Sequence, residues 1–388
     1  MFKSIGLPSM FSGEGEKRAF LPDFVKALRQ FEVDVWIEEG YGALMGYRIE
    51  DYIRENPRVR VVSHSEAYQA DMVIVLKAPS MDELDLMKRG AALVSMLHYE
   101  SRPLRVERLI KNGIHSFSMD AIANDQLQRL VVTYEQTAWG GISVALDEME
   151  KRRTDFYSEF REPYYVTIFG MGNLGVNAGR LCTKYFDEKF MERGVLGLVN
   201  GALVRYVGRS SVKSKNELRQ ILSGTDLLVD ATKRDVFSEY ILTNDLIGCL
   251  KDEAIILDLT ADPYNVQTTP MQAKAFEGVP YGTLEKYVFE TDAPEYAAIP
   301  AAVTTQFRRV AVSCNAWPGV FPEVSMKIYG DQLLPFLEVL MRKGVELSGE
   351  SENFFDRAIY RSSMAYFLKS LEASQASNAS QVSEALDL

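Results

Sequence analysis

Cysteine, histidine and tryptophan each occur only three times in 388 residues. Cys182, Cys249 and Cys314 are odd in number and far apart, which argues against a disulfide framework and suits reduced core thiols. His64, His98 and His115 lack metal-ligand spacing, so no metal is expected. Positive charge is also in deficit: 43 Lys and Arg stand against 54 Asp and Glu, a net charge of −11. A nucleic-acid scaffold normally carries a basic face, so that class is set aside. No run approaches the roughly 20 apolar residues of a membrane span. The N-terminal MFKSIGLPSMF turns polar too quickly for a secretory signal. What remains is the expectation of a cytoplasmic chain of two or three domains that acts on small molecules, not on nucleic acid or membrane, with a homo-oligomer left open.

Glycine is concentrated where it carries information. Tyr164–Phe169 is a β-prone run, and Gly170-Met171-Gly172-Asn173-Leu174-Gly175 follows it directly and opens a helical pattern. Strand, glycine turn and helix start together form the context of a dinucleotide fingerprint. Gly170 permits the tight turn, Gly172 lets a pyrophosphate approach, and Gly175 lets helix and strand pack closely. With Asn173 and Leu174 they supply backbone N–H groups and the positive end of a helix to the phosphates. The plain alternative is a glycine turn without a ligand. The fingerprint lies in mid-chain, so a whole domain precedes it.

That earlier stretch alternates strands (3–7, 34–37, 59–62, 72–76, 92–96, 115–118) with helices (22–31, 49–55, 81–89, 103–111), the pattern of a parallel sheet covered on both faces. Residues 125–151 read as one long helix with a break at Trp139-Gly140-Gly141. A second α/β unit has strands at 164–169, 202–207, 227–230, 254–259 and 309–314, and the chain becomes helical again after Pro322. The expectation is an α/β fold of two doubly wound parallel-sheet domains joined by long helices, with the active site in a cleft between them. A substrate domain would span 1–133, completed by 323–388. A linker helix and loop would occupy 134–163, and the dinucleotide domain 164–322.

Open α/β sheets bind ligands beyond the carboxyl ends of their strands. Arg18, Lys77 and His98 each follow a strand of the first domain. A guanidinium fork suits a carboxylate, an ammonium can hold a carboxylate or polarise a carbonyl, and an imidazole moves protons near neutral pH. A solvated arginine and a satisfied core histidine are the bland readings of the same positions. In the second domain Asp258 and Asp262 flank a strand end and could orient the nicotinamide ribose or an amine, or simply cap a turn. Asn315, ahead of Pro318-Gly319, could donate to substrate or to the nicotinamide amide. The second strand of that domain ends in Gly208-Arg209-Ser210-Ser211 with no acidic residue to bind ribose hydroxyls. Arg209, Ser210 and Ser211 could hold a 2′-phosphate, which favours NADP over NAD.

Taken in order, Glu16-x-Arg18-x-x-x-Pro22, Lys77, His98, the mid-chain glycines, Asp258-x-x-x-Asp262 and Asn315-x-x-Pro318-Gly319 resemble the alanine dehydrogenase and transhydrogenase family. The resemblance implies Arg18 and Lys77 on the substrate carboxylate, His98 as acid/base, and Asp262 near nicotinamide and amine. Asn124–Arg129 and Asp331–Pro335 are similar to lysine-forming saccharopine dehydrogenases. Gly13–Arg18, Glu38–Gly42 and Thr291–Pro294 resemble carboxyethylornithine synthase. Tyr99-Glu100-Ser101-Arg102 departs from the alanine dehydrogenase pattern. These features tip the expectation toward reductive condensation of a 2-oxo acid with an amino acid. Alanine dehydrogenase-type deamination is the alternative, and a dinucleotide sensor or a soluble transhydrogenase component a more distant one.

Overall fold

Alternating apolar strands and short helices give the chain two six-stranded sheets among the described residues. The computed structural model describes residues 2–10, 14–208, 214–234, 238–269 and 271–373. The strands are β1 (Ser4–Leu7), β2 (Asp34–Glu38), β3 (Val59–Val62), β4 (Met72–Lys77), β5 (Ala92–Met96), β6 (His115–Ser118), β7 (Tyr164–Phe169), β8 (Ala202–Val207), β9 (Leu227–Asp230), β10 (Ile255–Asp258), β11 (Val288–Phe289) and β12 (Val310–Ser313). The helices are α1 (Pro22–Ala27), α2 (Ile49–Glu55), α3 (His64–Ala67), α4 (Met81–Leu86), α5 (Pro103–Asn112), α6 (Tyr134–Arg152), α7 (Asn173–Glu192), α8 (Lys215–Ser223), α9 (Asn244–Ile247), α10 (Pro322–Lys343) and α11 (Phe354–Arg361).

The chain divides into two units. The first comprises the described residues of Met1–Ser12, Glu16–Val132 and Pro322–Leu388. Its sheet runs β3-β2-β1-β4-β5-β6, all parallel. Side chains alternate across a strand, so a sheet covered on both faces needs apolar residues at every position. β4 is built that way: Met72 and Ile74 join the core beneath α10, with Leu333, Phe336 and Leu337, while Val73 and Val75 join Leu93 and Leu109 on the other face. Local signals start the helices. Ser63 and Ser80 form capping boxes with Glu66 and Glu83, and prolines open α1 and α5.

The second unit comprises the described residues of Gly13–Gly15 and Thr133–Phe321. Its sheet runs β11-β12-β10-β9-β7-β8, parallel except for the antiparallel edge strand β11, a two-residue element that sequence periodicity does not reveal. Two sequence expectations change here. Residues 125–133 are not helical: Asn124 accepts from Gln126 N–H and Gln128 N–H in a tight turn, and α6 starts at Tyr134. Nor does α6 break at Trp139-Gly140-Gly141. It runs straight through, because a Cβ at Gly140 would sit 2.6 Å from the Trp317 carbonyl oxygen. Those glycines let neighbours close on the helix instead of interrupting it. The helix expected as a linker packs into the second unit's own core through Ile142, Leu146 and Met149.

Candidate active site

In each unit the strand order reverses beside the first strand, between β1 and β4 and between β7 and β9, where doubly wound sheets bind ligands. The first unit carries its ionic cluster there. Glu16, on the chain leaving β1, accepts Arg18 Nε at 2.9 Å and Nη2 at 2.8 Å. Its Oε2 also lies 3.0 Å from Lys77 Nζ. Glu16 and Arg18 are each only 6% exposed. Burial alone would raise the Glu16 pKa. The Arg18 hydrogen bonds and the charges of Arg18 and Lys77 outweigh it and bring the value down to about 2. Two cations are thereby fixed on one carboxylate. A register irregularity between Ile74 and Lys77 re-aims the end of β4. The segment after Arg18 is pinned through Phe20, whose N–H donates to Tyr41 and whose carbonyl accepts from Tyr52.

His98 follows β5, the neighbour of β4, and sits in the left-handed region at φ 50°. Its Nδ1 lies 3.2 Å from Asp120 Oδ2. Asp120 stands just past β6, where it also accepts from Ser118 Oγ at 2.6 Å. Burial pushes the Asp120 carboxyl up, but the hydrogen bond and charge of His98, the Ser118 bond and the charge of Arg129 hold it well below the usual carboxylate range. An ionised carboxylate on Nδ1 favours the tautomer whose N–H points at Asp120, leaving Nε2 to exchange protons. Glu16 and Asp120 are the orienting groups that sequence reasoning did not assign as site residues. Their signal was slight, an acid two residues before Arg18 and a Ser-x-Asp closing a strand.

The second unit presents backbone instead. Gly170 has φ 105°, and a Cβ there would meet the Ala231 carbonyl oxygen at 2.4 Å. A Cβ at Gly175 would meet the Gly170 carbonyl oxygen at 2.1 Å, whereas nothing lies within 4 Å of one at Gly172. Turn and helix therefore close tightly at two glycines and stay open at the third. α7 starts at Asn173 directly after Gly172, whose lack of a side chain leaves the helix start without an N-cap side-chain bond. This arrangement fits a dinucleotide pyrophosphate.

Beside the turn lies a buried polar cluster. Asp258 is 3% exposed and engages Lys274 and, at 3.0 Å, Ser313 Oγ, while its Oδ1 accepts the N–H groups of Thr260 and Ala261. Its carboxylate thus holds the strand-end loop together, as the turn-capping reading expects, and pairs with the Lys274 ammonium. Burial opposes ionisation of Asp258, and Lys274 overcomes it. Asp262, half-buried in the following loop, goes the other way: burial and the Asp258 charge raise it to about 6. Asp230, in register with Asp258, is raised to about 7, by burial first and then by Asp258. Asn315 is half-buried beyond β12, with its N–H on the Gly282 carbonyl. Arg209, Ser210 and Ser211 lie outside the described residues. β8 ends at Val207.

Two segments that suggested condensation chemistry have scaffold roles. Asp125 holds Arg357 of α11 at 2.7 Å and also pairs with Arg361. The Thr291 carbonyl accepts from Arg308 Nη1 at 3.1 Å.

Two doubly wound units, one with a dinucleotide turn and the other with a cation–carboxylate group and a carboxylate-held imidazole, define a nicotinamide-dinucleotide-dependent oxidoreductase. Residues 12–138 match the family model "Alanine dehydrogenase/PNT, N-terminal domain". Alanine dehydrogenase 1 of Staphylococcus aureus (strain N315) is 20% identical over 360 residues, covering 86% of each chain. A solved L-alanine dehydrogenase superposes with a TM-score of 0.68 at 19% identity, covering 93% of this chain and 94% of that one. A transhydrogenase from Sinorhizobium meliloti gives a TM-score of 0.60 at 14% identity, with 88% and 94% covered. Residues 12–138 are thus similar to the N-terminal domain of alanine dehydrogenases and transhydrogenases, and the fold of the chain is that of the solved L-alanine dehydrogenase. No helix of the described residues is long and apolar enough to cross a membrane.

Proposed function

We propose that the protein is an amino-acid dehydrogenase that interconverts a 2-amino acid with a 2-oxo acid and ammonia. The carrying observation is the Arg18–Glu16–Lys77 group, whose Lys77 ends the strand adjacent to that of His98, with His98 itself held by Asp120. A guanidinium and an ammonium held close together are groups suited to a substrate carboxylate. Fixing both cations before substrate arrives lowers the ordering cost of productive binding.

In the amine-forming direction, Arg18 and Lys77 hold the carboxylate of the 2-oxo acid. Ammonia adds to the carbonyl carbon, and loss of water gives a protonated imine. His98 gives a proton at Nε2 to the departing hydroxyl, with Lys77 as a second proton source close to the carboxylate end. Asp120 keeps the His98 ring oriented and stabilises it when charged. Asp262 and Asn315, at strand ends of the second unit, orient the amine and the nicotinamide. The nicotinamide, when bound on Gly170–Gly175, supplies the hydride equivalent for the imine carbon.

Deamination is preferred to condensation because the named relatives are alanine dehydrogenases and because Asn124–Arg129 and Thr291–Pro294, which favoured condensation, serve the scaffold. We infer NADP as the cofactor from Arg209, Ser210 and Ser211 and from the lack of an acid after Val207. The test is oxidation of NADH and NADPH with a panel of 2-oxo acids, each offered with ammonia, lysine or ornithine. Turnover with ammonia supports the proposal. Turnover with only lysine or ornithine overturns it in favour of condensation, and cofactor binding without turnover in favour of a sensor.

A further inference from the structure

The proposed mechanism does not use Asp230, a carboxyl only 2% exposed at the end of β9. It stands in register with Phe169, the residue before Gly170, and the next residue, Ala231, donates its N–H to the Phe169 carbonyl at 2.8 Å. The Ala231 carbonyl is the group that closes on Gly170. A carboxylate has thus been placed one residue from the backbone that shapes the anion-binding turn, where a negative charge would oppose a pyrophosphate.

The hydrogen bonding around it favours the neutral acid. Thr260 Oγ lies 3.3 Å from Asp230 Oδ2 and 3.0 Å from Asp258 Oδ1. A hydroxyl has one proton, so it cannot donate to both carboxylates. Lys274 keeps Asp258 ionised. The chain is satisfied when Asp230 O–H donates to Thr260 Oγ and Thr260 O–H donates to Asp258. Asp230 Oδ1 remains an acceptor for Thr232 N–H at 3.0 Å and Thr232 Oγ at 2.7 Å. The other charged groups around it are Asp262 beyond β10 and Arg234 in the loop after β9, and Arg234 acts on Asp262. Lys274 is committed to Asp258.

We propose that Asp230 is a proton-linked positioning residue: dinucleotide binding at Gly170–Gly175 is coupled to uptake of one proton from solvent by the Asp230 carboxyl, held through Thr260 against Asp258. The raised Asp230 pKa, about 7, places the linkage near neutral pH. The coupling rests on the dinucleotide reading of the turn. Reciprocity requires that whatever raises the proton affinity of Asp230 on binding also weakens binding once the proton is lost.

NADH is the probe, because it lacks the 2′-phosphate that would itself titrate near pH 6. Fluorescence titration of the full chain should give a dissociation constant that rises between pH 6.0 and 8.5 by roughly tenfold, with a slope of no more than about tenfold per pH unit for one proton. Calorimetry in two buffers of different ionisation enthalpy should show net proton uptake near pH 7.5. Asp230→Asn replaces the carboxyl O–H donor to Thr260 with an amide N–H and removes the titration, so its affinity should stay flat and match the wild type at pH 6.0. Binding that is independent of pH with no proton uptake overturns the proposal, as does an Asn variant with the wild-type slope. If the variant does not fold, proton uptake by the wild type decides. Absence of NADH and NADPH binding at every pH removes the dinucleotide reading itself, and this inference with it.

Discussion

The two units share a doubly wound sheet but solve opposite electrostatic problems at the point where strand order reverses. In the first unit, cations force a carboxylate to ionise: Glu16 is held at about 2 between Arg18 and Lys77. In the second, burial first and then the neighbouring Asp258 charge raise Asp262 to about 6 and Asp230 to about 7. The first presents charged side chains, and the second a glycine turn with backbone amides beside suppressed acids. The difference shows how one architecture serves two anions. Under the proposed function a small carboxylate is gripped by fixed charge, whereas a pyrophosphate is met by N–H groups at a helix start.

The largest effect is expected at the residue proposed for proton transfer. His98→Ala should lower turnover by roughly 10²- to 10⁴-fold while NADH affinity is unchanged. A joint loss of both would mean that the first unit's imidazole acts on cofactor binding. Glu16→Gln comes next. It leaves buried Arg18 and half-buried Lys77 without their shared anion and should destabilise the first unit by about 3 kcal/mol in chemical denaturation, with partial recovery in the presence of a 2-oxo acid. No change in stability would show that Glu16 does not organise the pair.

A smaller effect separates the units by pH. Glu16 is depressed from 4.5, so its contribution is present above that value and lost as pH falls toward 2. Asp230 is raised from 3.8, so its contribution is present below that value and lost as pH rises through 7. Asp258, kept ionised by Lys274, adds acid sensitivity to the second unit, so the alkaline arm discriminates. Raising pH from 6 to 8.5 should increase hydrogen exchange in β9, corrected for intrinsic rates, and leave β1 and β4 unaffected. Equal loosening of both units would erase the contrast. The smallest effect expected is a several-fold rise in the NADPH constant for Arg209→Ala with NADH spared; equal effects on both cofactors would undo the 2′-phosphate assignment.

Much of the fold was readable because the inner strands are buried on both faces, so β5, β7 and β9 stand out as apolar runs with the expected bounds, and the edge strands β3, β6 and β8 also keep theirs. The start of α6 was not readable, because Asp125–Thr133 carries ordinary helix formers and the Asn124 turn that excludes them depends on geometry. Trp139-Gly140-Gly141 looked like a break because close approach by Trp317, a residue far along the chain, leaves no local trace. The site divides in the same way. Strand-end position was enough to single out Arg18, Lys77 and His98. Their organisers were not legible, since Glu16 reaches Lys77 and Asp120 reaches His98 only after strands pair. Lys274 had no motif at all, and its partnership with Asp258 changes what that aspartate does.

The account is tested most directly by following a label. NADH and NADPH deuterated at the transferable position of nicotinamide C4 are incubated with the protein, ammonia and the best 2-oxo acid, and the product is examined by mass spectrometry and NMR. Deuterium at Cα of a newly formed 2-amino acid is the predicted result. Deuterium recovered only in a second dinucleotide, or in no product despite measurable cofactor binding, would contradict it.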